Sequence, residues 1–541
     1  FERINNLYKM LKFSLPAVKE GTVIEYHYKL YSDYFSHIDN WMMQEELPML
    51  YNQYKITIPH VFIYNIELRG KDYIQVKQRD SSIHATEREG GSVGGVSKDF
   101  TVSAQETTFT SRNLPAIRQD EPYCWCPEDY KVQVSFDLQG TQFTPNEYKP
   151  YSQKWEDVDK QLLKPENTQF GEHLSLTNPF RPETKQAYNS EMNFEEKIIC
   201  AFQVLKKKMA WNGRYQLYSK ELEKVIKKGS GSNADLNFIL ISILKDFGLE
   251  AYPVVMSRRS SGMLPYNFPS LQKLNTFFVA IHDINKQKYV FLDSSMDVPA
   301  FNILPLELSV NKARMLSLKE KEEKKWVNVM ALSHNKSFMK IDARIEGNQV
   351  KGHRSTVLYG QEAIEYQANE NHKQDNLVSN PENKVSQKEK LTVTNLKVKK
   401  QENDWALIEE EFDFVLQADR TDDHLYINPM LFPQLKSNPF IQTERVLPIE
   451  FPYPYKFTML STLTLPEGYE VEELPQPQAI RSEGDGLQCK YMIQKQGNTI
   501  LLNYVFHLKG YIFLSEQYKQ LQELWTKVIE KNNALIVLKK I

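Results

Sequence analysis

The residues best placed for chemistry stand at the start of one apolar segment, residues 229–255 (GSGSNADLNFILISILKDFGLEAYPVV). Its pattern predicts a small-residue turn, a helix over 234–247 that is apolar on nearly every side, a stop at Gly248 and a strand. A thiol at the start of such a helix has a lowered pKa, because the positive end of the helix dipole favours the thiolate. No cysteine lies in this segment, and Asn233 stands where such a nucleophile would be mounted.

A nucleophile also needs a base in contact with it and a group that orients the base. Strands are predicted after the helix at 251–257, 276–281 and 288–295. A base and the group that orients it would lie on the last two of these strands. Ser230 and Ser232 offer hydroxyls in place of a thiol. The nearby histidine, His282, follows Thr276 by six residues, which is about 20 Å along a strand and far outside proton-transfer range.

The same helix start also has a purely structural interpretation. Asn and Ser are preferred N-cap residues, since their side chains accept the unpaired backbone N–H groups of the first turn. Ser232 and Asp235 have the spacing of a capping box, with Asp in the place of Glu. Asp293 is then expected to be a structural carboxylate that bonds Thr276 or a backbone amide. This interpretation is favoured over cysteine-type catalysis.

The four cysteines do not indicate a disulfide framework or a metal site in a chain of this length. Cys124 and Cys126 flank one tryptophan, too close for an easy mutual bridge, and no second Cys or His pair follows at zinc spacing. Cys200 falls inside a predicted helix and is interpreted as a small buried hydrophobe rather than a nucleophile. We therefore expect no metal and no cofactor. The glycine cluster at 89–95 is interpreted as a mobile loop, because a strand-like segment rather than a helix follows it.

Composition describes a globular chain of 541 residues with a net charge of −2, which gives no overall field toward nucleic acid or anionic lipid. The run at 319–326 (KEKEEKKW) mixes charge signs and is interpreted as a solvated helix face. No stretch of 18 apolar residues is present, so no transmembrane segment is expected in this chain. The chain begins at Phe1 without an initiator Met and is interpreted as a trimmed fragment whose signal segment lies outside it.

Pattern changes along the chain predict an α+β multidomain protein with β-rich ends. Residues 1–150 form an N-terminal antiparallel β-sandwich, with strand alternation in VIEYHYKLY (Ile24, Tyr26, Tyr28, Leu30) and YKVQVSFDL. Residues 151–190 are polar and proline-punctuated, as in a connector. Residues 191–330 are mixed α and β. Residues 331–541 form a C-terminal antiparallel β-domain with a hairpin turning at Gly497 and Asn498, and it ends in a helix that Ser515 caps.

The quoted segments together carry a family resemblance. Residues 229–257 resemble the core helix and following strand of transglutaminase-like domains, a branch of the papain-like folds, and residues 274–295 resemble their histidine and aspartate strands. Residues 18–59 and 113–136 resemble a β-sandwich domain of unknown function that precedes such a domain in bacterial cell-envelope proteins. Residues 465–477 and 511–540 resemble that family's C-terminal β-domain. The resemblance covers nearly the whole chain.

Carried over by position, the resemblance implies a degenerate catalytic site. The family motif Gly-Asp-Cys-x-Asp falls on Gly231–Asp235 and places Asn233 at the cysteine. The family's histidine position falls on Thr276, while its aspartate is kept as Asp293. The nucleophile and its base are both replaced, so the family's chemistry is not expected here.

The resulting expectation is a non-catalytic protein of the bacterial cell envelope, periplasmic or associated with the outer membrane. It would act in protein, peptide or glycan binding or assembly, with the former cleft as one possible docking surface. The alternative is a cysteine-peptidase or transglutaminase-type enzyme with a relocated nucleophile. A Cys or Ser in contact with a His in a pocket would favour the enzyme. The enzyme question and the partner stay open at this stage.

Overall fold

The protein is described by a computed structural model covering residues 2–3, 9–10, 14–25, 27, 38–89, 96–144, 147–150, 154–166, 168–219, 221–265, 269, 271–332, 334–376, 385–386, 391–401 and 404–541. Tyr26, Tyr28 and Leu30 of the first predicted strand, and Gly90–Gly95 of the glycine cluster, lie outside the described residues. Within them the chain is a mixed α and β structure whose two ends are rich in strands, as the sequence predicted.

The N-terminal part is built from antiparallel strands in two small sheets. Its strands are β1 Glu2–Arg3, β2 Lys9–Met10, β3 Trp41–Met42, β4 Met49–Pro59, β5 Phe62–Arg69, β6 Gln75–Glu89, β7 Val96–Leu114, β8 Gln133–Thr144 and β9 Glu147–Pro150. One sheet has the order β3-β8-β5, with β9 paired to β8, and the other has the order β4-β7-β6. Apolar side chains of both sheets, among them Phe109, Val134 and Phe136, share one core.

The central part combines seven described α-helices with short strands. The helices are α1 Trp155–Leu163, α2 Gln169–Leu174, α3 Arg181–Ala187, α4 Phe194–Lys208, α5 Leu222–Lys228, α6 Asn233–Asp246 and α7 Glu322–Lys325. The strands are β10 Ala210–Trp211, β11 Ser230–Gly231, β12 Glu250–Met256, β13 Thr276–Asp283, β14 Lys288–Leu292, β15 Ala313–Met315 and β16 Trp326–Val327. Strands β14-β13-β12-β15-β16 form an antiparallel sheet. Helix α6 is buried against this sheet, as its apolar character on all sides requires.

The segment predicted as a connector, 151–190, contains helices α1 to α3. Trp155, Val158, Leu162, Phe170 and Phe180 belong to the same apolar core as helix α6. Polar and proline-rich sequence therefore does not prevent this segment from packing on the central sheet. The exact domain boundaries stay predictions.

The C-terminal part is dominated by a nine-stranded sheet of order β19-β20-β21-β18-β17-β25-β29-β28-β27. Its strands and those beside it are β17 Asn335–Glu346, β18 Gln349–Tyr359, β19 Val385–Ser386, β20 Leu391–Gln401, β21 Asp404–Gln417, β22 Asp419–Thr421, β23 His424–Ile427, β24 Ile449–Glu450, β25 Tyr455–Thr464, β26 Tyr469–Glu473, β27 Gln478–Arg481, β28 Leu487–Gln496, β29 Thr499–Leu508, β30 Ile512–Phe513 and β31 Ile536–Lys540. The helices are α8 Gln361–Asn376 and α9 Tyr518–Asn532. The hairpin of β28 and β29 turns at Gly497, as predicted, while β17 and β25 pair in parallel.

The predicted cap of the last helix is wrong. Ser515 lies in a short 3-10 turn, and helix α9 begins at Tyr518. The Gln517 side chain accepts the backbone N–H of Leu514 at 2.8 Å, so a glutamine rather than a serine closes this turn. The buried face of α9 carries Tyr518, Leu521, Trp525 and Val528, which pack on the nine-stranded sheet as the helical spacing indicated.

The charged run at 319–326 is solvated only in part, which corrects the sequence interpretation. Lys325 is buried and its ammonium lies 3.0 Å from the Asp159 carboxylate of helix α1. The fully buried Arg314 guanidinium also binds Asp159, at 2.6 and 2.7 Å, and reaches Glu322 at 2.6 Å. The run therefore supplies partners for buried charges, which need compensation once they leave water.

Candidate functional site

Helix α6 begins with the capping box that the sequence predicted. Ser232 is the N-cap residue, and its hydroxyl accepts the backbone N–H of Asp235 at 3.3 Å. The Asp235 carboxylate in turn accepts the backbone N–H of Ser232 at 2.7 Å. Asn233 is thus the first residue of the helix, one position beyond the cap, and its side chain is free to point into the protein.

The three positions named from the sequence do come together. Asn233 donates from Nδ2 to Thr276 Oγ1 at 2.8 Å and to the Phe277 carbonyl at 3.0 Å. The same nitrogen lies 3.4 Å from Asp293 Oδ2. Asn233 Oδ1 accepts the backbone N–H of Gln216 at 2.9 Å. The amide therefore links the helix start to strand β13, to the end of strand β14 and to a preceding loop.

Asp293 is a structural carboxylate with donors on both oxygens. Its Oδ1 accepts the backbone N–H of Ser295 at 2.9 Å and also bonds the Ser295 hydroxyl. Its Oδ2 accepts from Asn237 Nδ2 at 2.7 Å. The expected bond to a backbone amide is present, whereas Thr276 is bonded to Asn233 instead of to Asp293. Burial raises the pKa of the Asp293 carboxyl, although these donors act in the opposite direction.

Asn237 is the member of this cluster that sequence reasoning missed. Its Oδ1 accepts the backbone N–H of Ser294 at 3.0 Å, and its Nδ2 bonds the Phe277 carbonyl at 2.8 Å. A signal was present, because Asn237 follows Asn233 by four residues and so shares one face of the helix. A polar residue on that face of an otherwise apolar helix needs a buried partner.

No surface of this cluster, hereafter the amide cluster (Asn233, Asn237, Thr276 and Asp293), is open to solvent. Each of its four side chains is 0% exposed. The chain itself covers the helix start, since the Asn233 backbone N–H bonds the Arg214 carbonyl at 3.0 Å and Leu217 packs into the core. The protein therefore covers these four side chains completely, and a partner molecule cannot contact them in this state.

The alternative serine nucleophiles have no histidine in reach. Ser232 is committed to the cap, and Ser230 pairs in strand β11. His282 lies near the far end of strand β13, where it stacks on Tyr289 and its Nδ1 is 3.4 Å from Glu250. Among the described residues no serine or cysteine side chain is hydrogen-bonded to a histidine. One threonine is, because Thr101 Oγ1 lies 3.0 Å from His84 Nδ1, on an exposed pair of strands and outside any cleft.

The environment of all four cysteines disfavours the thiolate form. Burial raises the pKa of Cys124 to about 12 and that of Cys489 to about 11. Burial likewise raises the pKa of Cys126 and of Cys200. Each thiol therefore stays protonated near neutral pH, and the thiol is the unreactive form. All four are free cysteines, and Cys200 lies inside helix α4 as expected.

Metal and membrane sites were also considered. Within the described ranges, no group of three or more His, Cys, Asp or Glu side chains is arranged to hold a metal ion. Over the same part of the chain, no helix combines the length and the apolar character needed to cross a membrane.

Comparison with known proteins gives limited matches. Residues 423–538, less than a quarter of the chain, match the family described as "Domain of Unknown Function with solved-structure structure (DUF3858)". No curated protein matches the chain. A crystal structure described as a "putative protease" from Parabacteroides distasonis is 13% identical, with a TM-score of 0.49, over 92% of this chain and 74% of that one. A "putative cysteine protease" from Cytophaga hutchinsonii is 10% identical, with a TM-score of 0.16, over 46% of this chain and 80% of that one.

Proposed function

We propose that this chain is a non-catalytic, degenerate transglutaminase-like protein that binds or assembles a protein, peptide or glycan partner in the bacterial cell envelope. One observation carries the proposal. The positions where the resemblance places nucleophile, base and orienting carboxylate are occupied by Asn233, Thr276 and Asp293, which are buried and bonded to one another. An amide and a hydroxyl in that place can hold the helix start, but neither can accept a proton from a nucleophile at neutral pH.

The raised thiol pKa values support the same proposal against its rival. An enzyme with a relocated cysteine needs a thiolate beside a base, in a site that a substrate can enter. Desolvation instead raises the pKa of every one of the four thiols. With no thiolate and no accessible Ser–His pair among the described residues, the chemistry of the chain favours a binding role.

The test of catalysis is an assay for both reactions of the rival enzyme. The full chain is incubated with denatured casein and a biotin-labelled primary amine, with an active transglutaminase and an active cysteine peptidase as positive controls. We expect neither cleavage nor amine incorporation from this chain, and no change with the variants Cys124→Ala, Cys126→Ala or Cys200→Ala. Activity that one of these variants abolishes would show a relocated nucleophile and overturn the proposal.

The proposed location and partner are tested in the source cell. Native protein is followed through fractionation into cytoplasm, periplasm and outer membrane, and it is then crosslinked in intact cells. We expect recovery in the periplasmic or outer-membrane fraction, crosslinked to a defined envelope component. Recovery in the cytoplasm alone contradicts the location. A chain that stays without crosslinked product in the envelope contradicts the binding role.

A further inference from the structure

A pocket lies where the N-terminal, central and C-terminal parts of the chain meet. We call it the junction pocket, and it has a volume of about 60 Å³. Trp125 of the N-terminal part, Ser257, Arg259, Met263 and Lys312 of the central part and Tyr511 of the C-terminal part all line it. Pockets between domains are preferred places for small ligands, because several chain segments can direct groups at one point.

The junction pocket begins next to the amide cluster but is separate from it. Met256, the last residue of strand β12, is paired with Thr276 in the sheet register. Ser257 follows it and already lines the pocket, and the Arg258 backbone N–H is fixed by Asn275 Oδ1 at 2.9 Å. The junction pocket therefore lies at the same end of the central sheet as Thr276 of the amide cluster.

Arg259 brings a buried positive charge to this pocket, and the Glu450 and Glu307 carboxylates favour that charge from nearby. Its Nη1 and Nη2 atoms donate to the carbonyls of Pro452 and Phe451, each at 2.7 Å, and its guanidinium lies 4.3 Å from the centre of the Trp125 ring. These bonds use two of five N–H donors, and no described carboxylate forms an ion pair with it. Burial accordingly lowers the pKa of Arg259 to about 10. Burial also lowers the pKa of Lys312.

Ser257 adds a buried hydroxyl without a hydrogen-bond partner. Its side chain is 2% exposed, and its hydroxyl forms no hydrogen bond within the structure. A buried hydroxyl without a partner costs free energy of about 1–3 kcal/mol. A ligand atom in the pocket that accepts this O–H would remove that cost.

The two carboxylates that line the pocket, Glu450 and Asp129, already have hydrogen-bond donors of their own. Both oxygens of Glu450 are occupied, by the Trp125 backbone N–H at 2.8 Å and by the Tyr130 hydroxyl. Asp129 accepts the Met263 backbone N–H at 2.7 Å, and burial raises the pKa of its carboxyl, which favours the neutral form. The Ser257 hydroxyl and the three Arg259 N–H groups that form no described hydrogen bond are therefore the donors that a ligand in this pocket would meet.

We propose that the junction pocket binds the carboxylate group of a small organic acid, whose oxygens accept from the Arg259 guanidinium and the Ser257 hydroxyl, while the carbon body of the acid stays outside the small pocket and lies on the exposed Met263. Planar guanidinium groups match carboxylates in shape as well as in charge. Either a free acid or the terminal carboxylate of a peptide supplies this chemistry. The inference rests on the proposed function, since it names a ligand class for a protein that binds rather than catalyses.

The experiment compares two probes that differ only in charge. Binding of N-acetyl-leucine and of N-acetyl-leucinamide to the full chain is measured by calorimetry. The acid should bind and the amide should bind at least about tenfold more weakly, as expected for the loss of one charged hydrogen bond. A pentapeptide that ends in leucine, compared with its C-terminal amide, then tells whether a chain terminus or only a free acid is accepted.

A variant with a matched control ties the binding to the pocket. Ser257→Ala removes the buried hydroxyl and should lower the affinity for N-acetyl-leucine by about tenfold. Ser461→Ala removes another buried hydroxyl without a partner, in strand β25, and should leave the affinity unchanged. Arg259→Lys keeps the charge but loses the planar pair of donors. It should therefore lower the affinity for N-acetyl-leucine more than the affinity for N-acetyl-leucinamide. Circular dichroism confirms that each variant is folded.

Failure of this inference and failure of the proposed function give different results. Equal binding of acid and amide, or no binding of either at about 10 mM, overturns the carboxylate site. The carboxylate site is also overturned if neither Ser257→Ala nor Arg259→Lys changes the affinity for N-acetyl-leucine. Conversion of the amide to the acid, detected by mass spectrometry of the recovered probe, would instead show catalysis and overturn the proposed function.

Discussion

Single residues of the amide cluster connect several elements of the central part through buried hydrogen bonds. A thiol is a weak donor and acceptor, whereas an amide offers strong donors and an acceptor in one plane. Asn233 uses both ends, since its oxygen holds the Gln216 N–H and its nitrogen holds Thr276 and Phe277. Asn233 therefore ties the loop at 214–217 over the helix start.

Replacing Asn233 with Ala should lower the stability of the central part. The change leaves the Gln216 N–H without its acceptor and empties the fully buried position of Asn233, so we expect a loss of about 2–3 kcal/mol in the free energy of unfolding. Chemical denaturation followed by tryptophan fluorescence measures it. Asn212→Ala is the control, because Asn212 is exposed although it bonds Arg214 in the same loop, and it should change the free energy by less than about 1 kcal/mol. An equal effect of both variants would contradict the role assigned to Asn233.

Asp129 of the junction pocket predicts a pH dependence of stability with a definite sign. Burial raises the pKa of the folded carboxyl above its unfolded value of about 3.9, so the folded state binds more protons between these two values. Its contribution to stability is complete below the unfolded pKa and is lost as the pH rises through the folded pKa. The variant Asp129→Asn lacks this loss, so its melting temperature relative to the wild type should rise as the pH increases from about 4 through the raised pKa of the folded carboxyl.

The control for this pH experiment has the opposite sign. The Arg118 guanidinium lowers the pKa of Asp120 through a hydrogen bond, so that carboxylate stabilises the folded state above its unfolded pKa. The melting temperature of Asp120→Asn should therefore fall relative to that of the wild type as the pH rises. If both variants shift in the same direction, the assignment of Asp129 as a desolvated carboxyl is wrong.

At the scale of elements, the start of helix α6 depends on a local cap. Ser232→Ala removes the hydroxyl that accepts the Asp235 N–H and should lower stability by about 1 kcal/mol. Ser515→Ala is the matched control, because Ser515 precedes a helix without capping it, and its effect should stay within about 0.5 kcal/mol. Thermal unfolding of the two variants in parallel compares them. A larger loss at Ser515 than at Ser232 would contradict the observed caps.

The same elements show which features a sequence can predict. The capping box of α6 was predictable because Ser232 and Asp235 are three residues apart and the rule is local. The strands at the site were predictable from their apolar runs. Closure of the site was not, since it needs the Gln216 N–H to meet Asn233, and no periodic pattern encodes that loop. Nor was the burial of Lys325, whose partner Asp159 is 166 positions away in the chain.

At the scale of the whole molecule, a few buried polar contacts join the N-terminal and C-terminal parts. Arg445 is the centre of one such set, with a side chain that is only 3% exposed. Its guanidinium binds Glu121 at 2.8 Å and also the carbonyls of Pro122, Leu447 and Pro448. Glu450 continues the contact through Trp125 and Tyr130. The junction pocket lies within this same contact, so its shape depends on the three parts staying together.

Arg445→Ala should therefore weaken the contact between the N-terminal and C-terminal parts. Removing one partner of a buried pair leaves the Glu121 carboxylate uncompensated, which costs about 3–5 kcal/mol. We expect an earlier first transition in calorimetry and a larger radius of gyration in small-angle scattering. Arg481→Ala is the control, because Arg481 is exposed and pairs only with Asp485 of its own part, and it should alter neither measurement. If Arg445→Ala leaves both unchanged, the contact does not hold the parts together. The variant should also lose affinity for N-acetyl-leucine if the pocket needs all three parts in place.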